Sequence, residues 1–312
     1  MKILISDKTH PGCAEKFRAA GFEVDERPGL DPAERLSIIK DYQGLVIRSA
    51  TKVTSELIDA AANLKVVGRA GTGLDNVDIP AATARGIVVM NTPGQNSNAA
   101  AELAITMVFA LSRHLYRACA SLKACRWEKK ALEGREVMGK TLGVLGYGAI
   151  GRIVGELGRG VKMRVLAYDP YLTADQIQAL GAEPVSLDEL LAGSDYLTLH
   201  IPRTAETAGL FNAETIAKMK DGAFLINCAR GGLVDEEALY QALVSNKLAG
   251  AALDVFAVEP PGEHKLLTLD SFICTPHLGA STFEAQVNVA VAVAEQMIRY
   301  LKDGVAVNAV NA

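Results

Sequence analysis

Residues 141–169, TLGVLGYGAIGRIVGELGRGVKMRVLAYD, decide the fold of this chain. They begin with a short apolar run, Thr141–Leu145, which predicts a buried strand, and continue with a G-x-G-x-x-G turn over Gly146–Gly151. A second apolar run, Val165–Tyr168, ends at Asp169. Between the turn and this run, apolar residues recur at helical spacing, at Ile150, Ile153, Val154, Leu157 and Val161.

This order of strand, glycine turn, helix, strand and acidic residue is typical of a dinucleotide site. Gly146 permits the tight turn, Gly148 lets the backbone approach a pyrophosphate, and Gly151 lets the helix pack closely on the strand. The helix N-terminus offers N–H groups to the phosphates. Asp169 can accept hydrogen bonds from ribose hydroxyls and would repel a 2′-phosphate, so we predict NAD rather than NADP. A glycine turn that serves packing alone is the alternative, and the surrounding pattern favours nucleotide binding.

Length and composition exclude several function classes. The chain has 312 residues, enough for two domains, and a formal net charge of −4 without a basic stripe, so nucleic acid is not an expected partner. The N-terminus does not resemble a signal peptide, and no apolar run approaches the roughly 20 residues of a membrane helix. No membrane partner is therefore expected. Five cysteines without a C-x-x-C pair predict free thiols in a cytoplasmic protein, and no metal site.

Two series of βα units predict two parallel sheets. The first precedes the Asn91-Thr92-Pro93-Gly94 break, and the second runs from Thr141 to about Ala280. Between them we expect one long helix from about Asn98 to Lys123, with an apolar face made of Leu103, Met107, Val108, Leu111 and Leu115. A last helix is expected over Ser281–Leu301, with its apolar side made of Val287, Val291, Ala294 and Ile298.

The dinucleotide unit therefore interrupts another α/β domain, to which the last helix would return. We predict an α/β fold of two doubly wound parallel-sheet domains. A Rossmann-type NAD domain over residues 94–280 would be inserted into a discontinuous flavodoxin-like substrate domain over residues 1–93 and 281–312.

Short motifs that end apolar runs supply the candidate functional residues, because ligands of open α/β sheets bind beyond the carboxyl ends of strands. Arg230, followed by two glycines, can bind a carboxylate through two parallel hydrogen bonds. His277 follows a strand end and a proline, and it can give or take a proton near neutral pH. Glu259, which precedes two prolines, is its candidate partner, since a carboxylate would orient the imidazole. Taken singly, each motif also fits an ordinary surface loop.

Two arginines end strands of the first domain, Arg48 in LVIRS and Arg69 in VVGRAGTG, and both suit an anionic substrate. We expect Gly71 and Gly73 to leave N–H groups free as an anion nest, with an ordinary turn as the alternative. Hydride transfer between a nicotinamide and an alcohol needs a proton acceptor, a cation beside the carbonyl, and anchors for the rest of the substrate. His277 would supply the proton acceptor, and Arg230 the cation. The Arg48 and Arg69 loops would supply the anchors.

Six segments carry a resemblance to a known family: VIRSATKVT, VVGRAGTGLDNVD, VMNTPGQNS, NCARGGLVDE, GAALDVFAVEPP and PHLGAST. Through nearly its whole length the chain resembles the D-2-hydroxyacid dehydrogenase family, and specifically those members that act on 3-phospho-D-glycerate. The resemblance implies NAD-dependent oxidation of 3-phospho-D-glycerate to 3-phosphooxypyruvate, the first step of L-serine biosynthesis.

The resemblance also implies roles for individual residues. His277 would accept the proton during alcohol oxidation, Glu259 would orient it, and Arg230 would hold the substrate carboxylate and polarise the forming carbonyl. The implied substrate anchors are Arg48, Arg69, Gly71, Thr72, Gly73 and Asn96. The implied cofactor contacts are Thr72, Gly146, Gly148, Ala149, Ile150, Gly151, Asp169, His200, Ile201, Pro202, Cys228, Ala229, Arg230, Asp254, His277, Gly279 and Ala280.

Three further expectations follow from the resemblance. The helix before the glycine turn resembles the family's dimerisation arm, which implies a homodimer and a role for Lys129 or Lys130 in the partner subunit's site. Ala149 stands where relatives often carry a larger or charged residue, which implies a weaker pyrophosphate contact. The chain ends at Ala312, after a VNA segment, so we expect neither the serine-binding regulatory domain of some relatives nor feedback inhibition through it.

Two alternative functions stay open. A sister enzyme that reduces hydroxypyruvate, glyoxylate or another 2-oxo acid would share the fold and the three catalytic residues, and only Arg48, Arg69 and the Thr72 loop favour a doubly anionic substrate. A non-enzymatic NAD sensor that binds proteins, like the related transcriptional corepressors, could keep the same three residues. The missing peptide-recruiting extensions and ordinary surface composition argue against it.

Overall fold

A computed structural model describes residues 1–312, and the chain divides into two compact units. The discontinuous unit combines Met1–Asn96 with Ala280–Ala312, and the continuous unit covers Ser97–Gly279. Each contains one parallel sheet, so the predicted fold class is confirmed. The assignment of one unit to the substrate and the other to NAD stays a prediction. None of the helices combines the length and apolarity needed to span a bilayer.

The two units together contain twelve strands and twelve α-helices. In chain order these are β1 (Lys2–Ile5), α1 (Gly12–Ala19), β2 (Glu23–Glu26), α2 (Pro32–Ile38), β3 (Gly44–Ile47), α3 (Ser55–Ala60), β4 (Val66–Arg69), α4 (Ile79–Ala84), β5 (Val88–Met90), α5 (Ser97–Ser112), α6 (Leu115–Lys123), β6 (Thr141–Leu145), α7 (Ala149–Gly160), β7 (Arg164–Tyr168), α8 (Ala174–Ala179), β8 (Glu183–Pro184), α9 (Leu187–Gly193), β9 (Tyr196–Leu199), α10 (Ala213–Ala217), β10 (Ala223–Asn227), α11 (Glu236–Val244), β11 (Leu248–Leu253), β12 (Phe272–Cys274) and α12 (Phe283–Asp303). Short 3-10 helices cover Ile39–Asp41, Lys129–Leu132 and Lys265–Thr268.

The discontinuous unit has a five-stranded sheet in the order β2-β1-β3-β4-β5, which is the flavodoxin-like order with its switch point between β1 and β3. All four residues of β3 are buried, because a parallel sheet is covered by helices on both faces. At the start of α2, the side chain of Asp31 accepts a hydrogen bond from the Glu34 N–H, and Pro32 follows at the first helical position.

The last helix, α12, packs against α1 and β4 within this unit. The predicted apolar face was wrong in detail: Val287, Val291 and Ile298 are only partly buried. The face that the helix buries runs through Ala285, Val289, Ala290, Val293, Ala294 and Met297. Gly68 in β4 explains the choice, because a Cβ there would lie 2.2 Å from the Met297 sulfur. The missing side chain on the strand therefore selects which helix face approaches the sheet.

The continuous unit has a seven-stranded sheet in the order β12-β11-β10-β9-β6-β7-β8. This is the Rossmann order extended by one strand, with the switch point between β6 and β9, where Leu145 pairs with Leu199. The chain thus enters the glycine turn directly at the switch point, the position at which such sheets bind their ligands.

The single long helix expected between the two sheets is instead two helices, α5 and α6. They are separated at His114, whose backbone is left-handed with φ 48°. Met107, Val108 and Leu111 are buried on the predicted face, whereas Leu115 is 59% exposed. The change of direction at His114 takes α6 off the apolar face that α5 packs against α7 and the sheet.

Candidate active site

The glycine turn after β6 combines two tightly packed glycines with one open glycine. A Cβ at Gly146 (φ +88°) would lie 2.7 Å from the His200 carbonyl oxygen, and one at Gly151 would lie 2.0 Å from the Gly146 carbonyl oxygen. A Cβ at Gly148 would meet nothing within 4 Å. Packing therefore requires glycine at the first and third positions. The second is open, as close approach of a phosphate to the backbone would need.

The N-terminus of α7 lacks the side-chain cap that most helices of this chain possess. Its N-cap is Gly148, and no side chain accepts a hydrogen bond from its first turn. Because these N–H groups have no side-chain acceptor, they and the positive end of the helix dipole remain available to an anion. Eight other helices are capped by a side chain, at Asp31, Thr54, Asp78, Thr173, Ser186, Asn212, Asp235 and Thr282.

Asp169 is oriented beside the turn by two backbone groups. The Tyr147 N–H donates to its Oδ2 at 2.8 Å, and the Tyr171 N–H donates to its Oδ1 at 2.9 Å. Each carboxylate oxygen keeps a further lone pair that can accept a ribose hydroxyl. The anchored charge would repel a 2′-phosphate, so the residues present fit NAD.

His200 follows β9 and lines the same switch point. Its Nε2 lies 2.9 Å from the Thr198 hydroxyl, while its buried Nδ1 has no hydrogen-bond partner. Burial lowers the pKa of His200 to about 3, so the imidazole is neutral at physiological pH. A buried nitrogen without a partner beside an open phosphate turn is consistent with a site that a ligand completes.

The loop after β10 holds Arg230 through the side chain of Asn227. The Asn227 amide donates to the Arg230 carbonyl oxygen at 2.8 Å and accepts from the Ala229 N–H at 3.0 Å. A Cβ at Gly231 would lie 1.8 Å from the Phe256 carbonyl oxygen, so this loop rests directly on the backbone that follows β11. The neighbouring Cys228 is buried, and burial raises the pKa of its thiol.

His277 and Glu259 form a close pair in the continuous unit. The imidazole Nδ1 lies 2.8 Å from Glu259 Oε2, and the Phe256 N–H donates to Glu259 Oε1 at 3.1 Å. The side chains are 51% and 38% exposed, so a substrate can reach them. Because Nδ1 faces the carboxylate, Nε2 is the nitrogen left for proton exchange with a substrate.

Asp254, predicted as a cofactor contact, also organises the loop that carries His277. Its carboxylate, in a residue only 1% exposed, accepts hydrogen bonds from the Thr275 hydroxyl at 2.5 Å, the Leu278 N–H at 2.6 Å and the Gly279 N–H at 2.8 Å. A buried carboxylate needs such donors, and here all three come from the loop after β12. The His277 N–H donates to the Asp254 carbonyl oxygen at 2.8 Å, so the loop is held from both sides.

In the discontinuous unit, Asp7 holds the Arg48 loop at the switch point between β1 and β3. This buried carboxylate accepts the Arg48 N–H at 2.6 Å, the Thr51 N–H at 3.1 Å and the Thr51 hydroxyl at 2.5 Å. One guanidinium nitrogen of Arg48 donates to the Lys8 carbonyl oxygen at 3.2 Å, and its buried Nε has no hydrogen-bond partner. Desolvation lowers the pKa of Arg48, and the Asp7 charge opposes this shift.

Sequence reasoning missed Asp7, although it lies two residues after the end of β1 and so satisfies the strand-end rule that identified Arg48. Arg69 ends β4 and pairs in register with Ile47 of β3, so the two arginines follow neighbouring strands. The two loops therefore place cationic groups on one sheet edge within this unit.

The expected anion nest was wrong at Gly71. Its N–H donates to the Thr92 hydroxyl at 2.9 Å and to the Arg69 carbonyl oxygen at 2.9 Å, so it is not free for an anion. A Cβ at this glycine would lie 2.5 Å from the Arg69 guanidinium, which explains the small residue there. The predicted anchors Thr72 and Asn96 are in contact, since the Thr72 hydroxyl donates to the Asn96 Oδ1 at 2.7 Å.

The structure thus distributes the predicted site residues over two sheet edges. Thr72 and Ala280, both predicted cofactor contacts, lie in the discontinuous unit with the predicted substrate anchors. In the continuous unit, the other predicted residues follow the carboxyl ends of six strands: Gly146–Gly151 after β6, Asp169 after β7, His200–Pro202 after β9, Cys228–Arg230 after β10, Asp254 and Glu259 after β11, and His277–Gly279 after β12.

Comparison with known proteins gives concordant matches. The family model described as D-isomer specific 2-hydroxyacid dehydrogenase, NAD binding domain, matches residues 105–279. The D-3-phosphoglycerate dehydrogenase of Synechocystis sp. is 50% identical over 296 residues, which are 95% of this chain and 53% of the relative. The chain spans little more than half the length of the curated relatives it matches.

Two solved structures are similar over their full length. The NAD⁺-bound 3-phosphoglycerate dehydrogenase of Entamoeba histolytica superposes with a TM-score of 0.85 and 32% identity, and the match covers 100% of this chain and 99% of the other. A glyoxylate reductase from Paecilomyes thermophila gives a TM-score of 0.91 and 31% identity, with coverage of 99% and 98%.

Proposed function

This chain belongs to the D-isomer specific 2-hydroxyacid dehydrogenase family, and on that premise we propose that it oxidises 3-phospho-D-glycerate to 3-phosphooxypyruvate with NAD, the first step of L-serine biosynthesis. The observation that carries the proposal is the 2.8 Å contact between His277 and Glu259. These two residues lie in loops at the carboxyl edge of the same sheet as the open glycine turn. A proton acceptor and a dinucleotide turn on one edge are what alcohol oxidation with a nicotinamide requires.

NAD, when bound, supplies the acceptor for the hydride. Gly146–Gly151 and the N-terminus of α7 would hold its pyrophosphate, and Asp169 its ribose. His277 Nε2 would accept the hydroxyl proton, and the Glu259 carboxylate on Nδ1 would stabilise the imidazolium that forms. Arg230 would hold the substrate carboxylate in a bidentate pair and stabilise the developing carbonyl.

A doubly anionic substrate is supported by the discontinuous unit. Arg48 and Arg69 end or follow neighbouring strands, so two cationic side chains of this unit are placed to bind an anionic group. The similarity to a glyoxylate reductase favours the rival substrate class, an unphosphorylated 2-oxo acid. The fold and the three proposed catalytic residues suit either, so the distal group of the substrate decides between them.

The deciding experiment follows NADH and, separately, NADPH absorbance with four substrates: 3-phosphooxypyruvate, hydroxypyruvate, glyoxylate and 2-oxoglutarate. We expect 3-phosphooxypyruvate with NADH to exceed the others by well over tenfold in kcat/KM, equal to about 1.4 kcal/mol or more of transition-state preference. A preference for an unphosphorylated acid would change the proposed substrate, whereas the proposed dehydrogenase activity would stand. Binding of NADH without turnover of any acid would favour a non-enzymatic sensor.

The proposal includes a cytoplasmic homodimer formed through the segment that contains α6. This segment exposes four large apolar residues, Leu115, Tyr116, Leu122 and Trp127, with exposures of 59%, 66%, 59% and 81%. Exposed apolar residues that cluster in one segment are typical of a protein interface. Light scattering after size-exclusion chromatography should give twice the mass of the 33.1 kDa chain, and Trp127→Glu should shift the protein toward the monomer.

A further inference from the structure

A second histidine–carboxylate pair lies in the continuous unit, formed by Glu236 and His264. The imidazole Nε2 is 3.0 Å from Glu236 Oε2. The two side chains are 17% and 22% exposed, so this pair is less accessible than His277 and Glu259. A substrate therefore has little access to this pair, and the pair acts on neighbouring residues that it holds in place.

Every remaining polar atom of this pair is engaged with the backbone of the loop after β11. The other oxygen of Glu236 accepts the Ala257 N–H at 2.7 Å, and His264 Nδ1 accepts the Leu266 N–H at 3.3 Å. Since Nδ1 is an acceptor, Nε2 carries the proton and donates to the carboxylate. The ring also packs edge-on against Phe256, with centroids 6.0 Å apart. Glu236 therefore binds both the start of the loop and, through His264, its end.

This loop is the one that carries Glu259. The Phe256 N–H donates to Glu259 Oε1 at 3.1 Å, and Ala257, which Glu236 holds, is the next residue. On its other side, the Phe256 carbonyl oxygen is in close contact with Gly231, beside Arg230. Glu236 itself begins α11, which follows the Arg230 loop in the chain. One pair thus ties the Glu259 loop to the element that directly follows Arg230.

We propose that Glu236 and His264 are a positioning pair, which holds Glu259 against His277 and in register with Arg230. The inference rests on the proposed function. Displacement of a reacting group by about 1 Å can cost 10²-fold in rate, so a hydrogen-bonded brace on this loop acts on the rate of the reaction. The neighbouring Lys265–Glu237 pair at 2.6 Å is 63% and 55% exposed and binds no part of the Glu259 loop backbone, so it provides a matched control.

Two substitutions of His264 separate the two contacts of its ring. Glutamine can place an amide N–H near the position of Nε2 and keep the bond to Glu236, whereas asparagine can place an oxygen near Nδ1 and lose that bond. We expect His264→Asn to lower kcat by about ten- to hundredfold with the KM for NADH unchanged. His264→Gln should restore most of the rate, and Lys265→Gln should match the wild type.

Amide hydrogen exchange gives a measurement that does not depend on turnover. The Ala257 amide should exchange faster in His264→Asn than in the wild type, His264→Gln or Lys265→Gln. If His264→Asn keeps the wild-type kcat, or if both His264 variants lose activity equally along with NADH affinity, the positioning role is overturned. If the wild type turns over none of the four acids, the proposed function is overturned instead. In that case, slow exchange of the Ala257 amide in His264→Asn would also contradict the role of the Glu236–His264 pair in holding the loop.

Discussion

In both units a buried carboxylate holds a site loop in place, but the two loops carry different functional groups. In the discontinuous unit the buried carboxylate of Asp7 accepts three hydrogen bonds from the Arg48 loop. In the continuous unit the buried carboxylate of Asp254 accepts three from the His277 loop. Both residues follow the last residue of a parallel strand within two positions, so the carboxylate in each case fastens a neighbouring strand's loop to its own sheet edge.

The difference lies in what each fastened loop presents. The discontinuous unit presents guanidinium groups, Arg48 and Arg69, which are suited to hold an anion. The continuous unit presents an imidazole paired with a carboxylate, which is suited to take up the proton of a substrate hydroxyl. A shared scaffold therefore supports an anchoring role in one unit and a chemical role in the other.

The largest effect is expected for His277→Ala. Loss of the proton acceptor should lower kcat by about 10²- to 10⁴-fold, while NADH binding, measured by fluorescence titration, stays within a factor of about two. The glycine turn and Asp169 lie on other loops and keep their contacts. A near-normal kcat in this variant would mean that the continuous unit does not supply the proton acceptor through His277.

Paired substitutions of the two buried carboxylates should separate the two units. Asparagine presents an N–H to donors that need an acceptor, so Asp254→Asn and Asp7→Asn should each lower the free energy of unfolding by about 2 kcal/mol. We expect Asp254→Asn to lower mainly kcat, and Asp7→Asn to raise mainly the KM for the oxo acid, each by about tenfold.

Urea unfolding and steady-state kinetics measure both effects. Asp188→Asn removes only an exposed pair with Lys218 and is the control, expected to change stability by less than about 0.5 kcal/mol. The same kinetic signature from both buried carboxylates would contradict a division of roles between the units.

The smallest effect concerns the dependence of stability on pH. Burial lowers the pKa of His200 to about 3, below its ordinary value of 6.5. Between these values the unfolded chain binds a proton that the folded chain does not, so the free energy of unfolding falls as pH decreases, by at most about 1.4 kcal/mol per pH unit from this group. His200→Gln should flatten the dependence measured by urea unfolding of the cofactor-free protein between about pH 5 and 7. His10→Gln controls for loss of a histidine; equal slopes in all three proteins would exclude the His200 contribution.

Local sequence patterns predicted the dinucleotide unit well, because its parts are contiguous. The strand over Thr141–Leu145, the glycine turn and the helix that begins at Ala149 are each set by neighbouring residues. The strand ends before Arg48, Arg230 and His277 were predicted for the same reason, since apolar runs and turn residues mark them. The family resemblance then supplied roles that periodicity alone could not.

Other features could not be predicted from such patterns because they join residues far apart in the chain. The left-handed backbone at His114, which divides the expected long helix, has no glycine to signal it. The buried face of α12 depends on Gly68, more than two hundred residues earlier, which admits Met297. The occupied N–H of Gly71 depends on Thr92 from another loop.

The sequence by itself determined the two parallel sheets, the open glycine turn, and which strand-end side chains carry charge or exchange protons, since these depend on residue type and short-range spacing. Only the tertiary structure decided that Asp7 and Asp254 fasten the loops and that Glu236 and His264 brace the Glu259 loop. These bonds link residues 44, 21 and 28 positions apart. Such partners meet only once the register of the parallel strands brings their loops to one sheet edge.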